Sequence, residues 1–307
     1  MNKIHFPVLL NEVINSFVLK KDGIYIDCTL GFAGHSSEIL KKITKKGFLI
    51  GLDLDPYALD KAKEKLLKEK NKNFSLHHSS YKEFPKVLSE LGIEKVDGFL
   101  FDLGISSHQI DSEHRGFSYM KSNDLDMRFN SNSSLTAKHF LKAVSEQELI
   151  ELIQIYAELG NAKKIAKKII QMRDNNKMNT TIDLKNAIFQ ALDGCSNKII
   201  SRVFQAIRIA VNDEINTLKK TLEIVPRYLK KGGRVAIISF HSIEDRIAKH
   251  FLKNNLIMNE KKYYEPKSLG ENFKFNLITK KPLIPTDKEI KINSRSRSAK
   301  LRVAELL

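Results

Sequence analysis

Cysteine is nearly absent from this 307-residue chain, which holds only Cys28 and Cys195. Two thiols allow neither a disulfide framework nor a thiolate zinc site, and a reducing cytoplasm is the expected compartment. No apolar run approaches the ~20 residues needed to cross a bilayer. The opening stretch is not expected to act as a signal peptide, because Pro7, Asn11 and Glu12 break any apolar core. The nine histidines show no metal-ligand spacing. Adjacent His77 and His78 would point to opposite faces of a strand. Acidic residues are also scarce, 36 against 52 Lys and Arg, for a formal net charge of +16. That excess favours a polyanionic partner, nucleic acid or an anionic membrane; the plainer alternative is a Lys-rich soluble protein. Residues 106–215 carry 15 basic and 13 acidic side chains, whereas residues 261–307 carry 12 and 5. A diffuse lysine bias does not explain that concentration in the tail.

What is present is an ordinary globular balance, 42% hydrophobic and 29% charged, and a regular rhythm. Four short apolar runs, at 23–28, 48–53, 74–77 and 96–102, alternate with helical stretches such as 36–43 and 56–70. Runs of this length separated by helices predict parallel strands buried on both faces, hence an α/β fold. From 106 to 218 only helix patterns occur, including an apolar stripe through Phe204, Ile207, Val211, Ile215 and Leu218. Gly232-Gly233 then precedes a fifth strand, 234–239, and two more strand candidates follow at 273–278 and 300–306. The simplest architecture is one α/β domain with a helical domain inserted after strand four. The expected division is 1–105, 106–218 and 219–307.

Four segments carry chemistry. In the first, Asp27 ends a strand, Gly31 and Gly34 make a turn, and a helix begins near Ser36. Such a turn lets a ligand approach the backbone, and the helix N-terminus offers N–H groups. Asp53 ends strand two, where a carboxylate can accept from ribose hydroxyls. Together they predict an adenosine-containing cofactor. The Gly31-x-x-Gly34 spacing supports no pyrophosphate cradle, which disfavours NAD and FAD and favours S-adenosylmethionine. A structural turn with Asp53 as a helix cap is the competing explanation. The second segment runs Asp102-Leu103-Gly104-Ile105-Ser106-Ser107-His108-Gln109, in which Asp102 and Gln109 could hold an adenine. The polar-aromatic stretch 115–129 follows it, as a functional loop or a mobile connector. In the third, 239–246, Ser242 with Asp245 reads as a helix cap, placing His241 at the sheet edge that carries Asp102. A packed, hydrogen-bonded His241 is the alternative. The fourth is the tail 293–302. There Arg295 and Arg297 alternate with serines, suited to phosphate contacts, and the segment is expected to pack as a strand.

These motifs, taken in order, resemble the bacterial ribosomal RNA small-subunit methyltransferase H (MraW) family. The likeness covers His5-x-Pro7-Val8-Leu9, Asp27-x-Thr29-Leu30-Gly31, Gly34-His35-Ser36 and Asp53-x-Asp55-Pro56. It continues through Asp102-Leu103-Gly104-Ile105-Ser106-Ser107, Arg115-Gly116-Phe117-Ser118 and Leu125-Asp126-Met127-Arg128. It ends with Phe204-Gln205-Ala206-Ile207-Arg208-Ile209, Val211-Asn212-Asp213-Glu214, the 239–246 segment and the Arg-Ser-Arg-Ser tail. The resemblance implies a Rossmann-like class I S-adenosylmethionine-dependent methyltransferase fold with an inserted all-helical domain. It implies methylation of N4 of a cytidine in the decoding centre of small-subunit (16S) ribosomal RNA, with that RNA or the assembled small subunit as partner and no membrane. Cofactor contacts would fall on Ala33, Gly34, His35, Asp53, Tyr81, Asp102 and Gln109. Asp102, Ser239 and His241 would surround the target amine, and Arg295 and Arg297 would touch RNA. Ala33 stands where the family normally has glycine, Tyr81 replaces a phenylalanine, and 199–203 replaces a longer His-Pro-Ala-Thr-Arg segment. Two rival functions are a dehydrogenase, which would bind NADH, and a non-catalytic ribosome-assembly factor, which would bind RNA without transferring methyl groups.

Overall fold

The computed structural model describes residues 7–112, 114–254, 256–258, 266–268 and 273–307, so His5 of the first motif lies outside the described residues. The chain divides into two compact units, one of 1–104 with 216–307 and one of 105–215.

In the first unit α1 (Leu10–Phe17) precedes β1 (Ile24–Asp27), α2 (Gly34–Lys42), β2 (Phe48–Asp53), α3 (Pro56–Leu66), β3 (Phe74–His78), α4 (Phe84–Glu90) and β4 (Val96–Asp102). The runs of β1, β2 and β4 become strands covered on both faces, and Ile26, Leu49, Ile50, Phe99, Leu100 and Phe101 are fully buried, whereas β3 lies at the sheet edge and is only half-buried, contrary to the expectation for its run. In the second unit come α5 (Ser107–Asp111), α6 (Ala137–Ala143), α7 (Glu146–Tyr156), α8 (Ala162–Asp174), α9 (Thr181–Ala191) and α10 (Asn197–Asn212). Its core joins Leu149 and Ile153 of α7, Ile165 and Ile169 of α8, Leu184 and Ile188 of α9, and Val203 and Ile207 of α10. Capping boxes, Ser145 with Glu148 and Thr180 with Asp183, start α7 and α9.

The stripe expected to run unbroken from Phe204 to Leu218 is divided. Asp213 takes a left-handed conformation (φ 49°) after α10, and α11 (Glu214–Tyr228) starts afresh. Arg208 and Glu214 form a buried bidentate pair across that break, at 2.8 and 2.9 Å. The sheet resumes with β5 (Leu229–Ser239), followed by α12 (Ser242–Asn254), the pair β6 (Leu256–Met258) and β7 (Pro266–Ser268), β8 (Phe275–Leu277), α13 (Asp287–Ile292) and β9 (Lys300–Leu306). β5 starts at Leu229 rather than Arg234, so Gly232-Gly233 lies inside it, where the register with β4 shifts.

The seven-stranded sheet has the order β3-β2-β1-β4-β5-β9-β8. β1 to β5 are parallel, while β9 runs antiparallel to both β5 and β8. The order reverses between β1 and β4. A crevice at such a switch point, beyond the carboxyl ends of the strands, is where open α/β sheets bind ligands. Among the described residues no helix is long and apolar enough to cross a membrane.

Candidate active site

The carboxyl ends of β1, β2 and β4 each finish on an aspartate, and a turn of the chain is built on each. Asp27 is buried and accepts from the Ser36 hydroxyl (2.7 Å) and the Thr29 N–H (3.2 Å), tying β1 to the first turn of α2. Asp53 accepts from Gly31 N–H (2.7 Å) with one oxygen and from Asp55 N–H (2.9 Å) with the other. It therefore braces the β1–α2 turn from the neighbouring strand. The helix-cap alternative for Asp53 is not what forms, since Asp55 caps α3 by accepting from Tyr57 N–H. The backbone N–H of Asp102 donates to Thr29 Oγ1 (2.6 Å).

The turn itself depends on backbone that L-residues rarely adopt. Gly31 has φ +51°, and Ala33, the N-cap of α2, has φ 53° and ψ 43° and makes no side-chain cap. Gly34 serves a different need, because a Cβ there would lie 2.9 Å from Pro7 Cβ. The strain at Ala33 is testable. Left-handed alanine is about 1–2 kcal/mol unfavourable. Glycine would relieve that but add unfolded-state entropy worth about 0.4–1 kcal/mol. Ala33→Gly should therefore raise stability by up to about 1.5 kcal/mol. Thermal melts check this, and a clear fall in Tm would refute it.

His35 follows on α2 and is buried. Its Nε2–H donates to the Val8 carbonyl (2.9 Å), which leaves Nδ1 facing Asp102 Oδ2 at 3.6 Å. Tyr81 stands in the 3-10 turn after β3, its ring edge-on to Phe101 at 5.7 Å. Ala33, Gly34, His35, Asp53, Tyr81 and Asp102 thus all belong to the carboxyl edge of the sheet. Gln109 belongs to the second unit, in the capping box that starts α5, where its side-chain oxygen accepts from Ser106 N–H (3.1 Å).

At the end of β5, where α12 starts at Ser242, His241 Nδ1 accepts from Glu244 N–H (3.4 Å), and Glu244 reaches back to accept from Phe240 N–H (2.8 Å). Asp245 is held by Lys300 (2.9 Å) and Arg302 (2.7 Å) of β9. Burial alone would raise its carboxyl, but the two cations keep it below the ordinary value. Ser239 is buried and donates to the Lys300 carbonyl at 3.4 Å.

In the tail the strand expected at 300–306 forms as β9, but the Arg-Ser-Arg-Ser stretch before it is not a strand. Residues Ser294–Ser298 form a 3-10 turn, in which Asn293 caps Arg295 N–H (3.2 Å) and Ser296 is buried. Arg295 and Arg297 are exposed. With three residues per turn they do not share a face as strand residues would.

Electrostatically this edge is acidic. Burial pushes Asp27 and Asp53 each up to about 6, against the hydrogen bonds that pull them down. Asp102 stands well above the usual carboxylate range, through burial first and then repulsion from Asp27 and Glu244. The strand-end position that singled out Asp53 and Asp102 applies equally to Asp27, to which the sequence motifs assign no part in the site. Burial also raises the Cys28 thiol, which leaves it inert.

A sequence profile of the MraW methylase family matches residues 2–307. The chain belongs to that family. Three relatives share its length. The ribosomal RNA small subunit methyltransferase H of Caldicellulosiruptor saccharolyticus is 45% identical over 98% of both chains. That of Clostridium botulinum (strain Kyoto) is 44% identical over 97% of both. Methyltransferase H 1 of Acholeplasma laidlawii is 44% identical over 98% of both. Membership makes this sheet a Rossmann-like class I methyltransferase fold and S-adenosylmethionine the methyl donor.

The residues of the edge fit that donor. Asp102 Oδ1 and His241 Nε2 are buried without a hydrogen-bond partner among the described residues, although Glu244 Oε1 lies 3.1 Å from the latter. A cluster of carboxyls suits a cofactor that carries a sulfonium and an ammonium.

The second unit has its own ordered loop over 115–129. Arg115 donates to the carbonyls of Arg128 (3.1 Å) and Phe129 (3.0 Å). Asn212 accepts from Phe129 N–H (2.7 Å) and donates to the Met127 carbonyl (2.7 Å). These bonds give the Val211-Asn212-Asp213-Glu214 motif a structural purpose that its sequence did not disclose.

Proposed function

We propose that this methylase transfers the methyl group of S-adenosylmethionine to the exocyclic N4 of a cytidine in the decoding centre of small-subunit ribosomal RNA. The end-to-end likeness to relatives named ribosomal RNA small subunit methyltransferase H carries the substrate class. The cytidine amine follows from the motif resemblance. The cofactor supplies an already activated, electrophilic methyl on sulfur. The protein's task is to bring the amine nitrogen into line with it.

In this reading Asp53 holds the ribose, and Ala33, Gly34, His35, Tyr81 and Gln109 contribute to the cofactor pocket. Asp102 accepts one N–H of the target amine, which turns the nitrogen lone pair out of conjugation. It takes that proton as the N–C bond forms. A carboxyl raised by burial is suited to receive it. The neutral tautomer of His241 carries its proton on Nε2, because Nδ1 accepts from Glu244. That N–H can donate to cytosine N3, so the pair reads the Watson–Crick edge of an unstacked base. Ser239 holds the end of β5 against β9.

The decisive experiment incubates small subunits lacking the modification with methyl-labelled cofactor and identifies the modified nucleoside by mass spectrometry. Label on a nucleoside other than cytidine, or no label, overturns the reading.

Arg295 and Arg297, both exposed in the 3-10 turn, are the proposed RNA contacts of the tail. Replacing both with alanine should reduce the log–log salt slope of RNA binding by about 0.7–0.9 for each phosphate that is no longer neutralised. Cofactor affinity should not change. An unchanged salt slope would remove the tail from the RNA interface.

A further inference from the structure

One strongly charged surface carries no counter-charge among the described residues. Helix α8 buries Ala162, Ile165, Ala166 and Ile169. At about 100° per residue, Lys163, Lys164, Lys167 and Lys168 fall on the opposite side. The first three are exposed and Lys168 is half-buried. None of the four makes an ion pair among the described residues. The acids flanking the helix are engaged elsewhere, Glu158 beside Arg202 (3.9 Å) and Asp174 with Arg173 (2.9 Å).

The arrangement works against the helix that carries it. Lys163 and Lys164 lie in the first turn, at the positive end of the helix dipole, with no acidic residue there and no side-chain cap from Asn161. Lys163 with Lys167, and Lys164 with Lys168, are like-charge pairs one turn apart. Helix α7, which packs against α8, carries Glu146, Glu148 and Glu151 and no lysine. The charges are thus segregated by helix. A surface that only confers solubility intersperses both signs. Local stability has been given up for a concentrated positive face, and such a face is complementary to a polyanion.

We propose that the lysine face of α8 docks on the sugar-phosphate backbone of the RNA substrate, orienting it without reading bases. Two rows of two lysines, one helical turn apart, can follow successive phosphates. The inference rests on the ribosomal RNA reading above and assigns the helical unit a share of that substrate.

The test replaces Lys163, Lys164, Lys167 and Lys168 together with glutamine. Methyl transfer to small subunits lacking the modification is followed across a salt series. A control replaces four exposed lysines of the other unit, Lys45, Lys46, Lys68 and Lys70, in the same way. The α8 variant should raise KM about ten-fold or more at moderate salt and leave kcat unchanged. Its log–log salt slope should be lower by up to about 3, from 0.7–0.9 per phosphate. Its Tm should hold or rise, since the like-charge pairs are gone. An α8 variant with the wild-type KM and salt slope overturns the proposal. So does a control variant that loses as much, because the effect is then one of net charge. Failure of the wild-type protein to methylate small subunits would instead sink the ribosomal RNA reading.

Discussion

Asp53→Ala should reduce affinity for S-adenosylmethionine by about 10- to 100-fold while the protein remains folded. Hydrogen bonds to a charged group are worth about 1.5–3 kcal/mol, and tenfold in affinity is about 1.4 kcal/mol. Two losses combine. The ribose hydroxyls lose their proposed acceptor, and the turn between β1 and α2 loses its brace. Gly31 N–H and Asp55 N–H both bond to this carboxylate, at 2.7 and 2.9 Å, and alanine leaves them without it. Asp53→Asn separates the two contributions in part. Its amide oxygen can still accept from one of the N–H groups, but its NH₂ opposes the other. It should therefore fall between wild type and alanine. Calorimetric titration measures the affinities, and a melt establishes folding. Wild-type affinity in a folded Asp53→Ala protein would remove Asp53 from the cofactor site.

β1, β2 and β4 were legible in the sequence because each is a buried apolar run that ends in an aspartate. Asp27, Asp53 and Asp102 mark the carboxyl edge by their places at the ends of apolar runs. Where the sequence misled, an interaction distant in the chain had displaced a local pattern. The carboxylate of Asp245, which local spacing offers as a capping partner of Ser242, is held by Lys300 and Arg302 of β9, partners that local spacing cannot reveal, while His241 and Glu244 bond at the start of α12. The alternation of arginine and serine in the tail has the period of a strand. Asn293 instead folds it into a 3-10 turn by capping Arg295 N–H and accepting from the buried Ser296 hydroxyl (2.7 Å). The stripe from Phe204 to Leu218 has a helical period throughout, and periodicity does not report the left-handed residue, Asp213, that divides it. The turn at Ala33 shows the converse. There the sequence shows alanine where the family normally has glycine, and that residue's φ of 53° is left-handed.

Cofactor affinity should also rise steeply with pH between about 5 and 7. Asp27 and Asp53 have carboxyls pushed up to about 6, chiefly by burial. A cationic cofactor, with ribose hydroxyls that donate to Asp53, favours their ionised forms and lowers both values. Binding therefore releases protons, and affinity grows until both groups are ionised in the free protein. For each group that ionises on binding, the difference between pH 7 and pH 5 is about ten-fold, so the two together give up to about 100-fold. The stability of the cofactor-free protein moves the other way. A carboxyl whose folded value exceeds its unfolded value of 3.8 makes the folded state less stable as pH rises from that value through about 6. For buried Asp27 a shift of about two units amounts to roughly 3 kcal/mol. The cofactor-induced rise in Tm should thus be small at pH 5 and large at pH 7. Asp27→Asn isolates one group, since an amide keeps an acceptor for Thr29 N–H and can pair with Ser36 while no longer titrating. Its affinity should change about ten-fold less across the same range than that of wild type. Calorimetry in buffers of different ionisation enthalpy counts the protons released. A wild-type affinity that is flat from pH 5 to 7, with no proton release, would mean that neither carboxyl feels the cofactor, and the acidic edge would then not be its binding site.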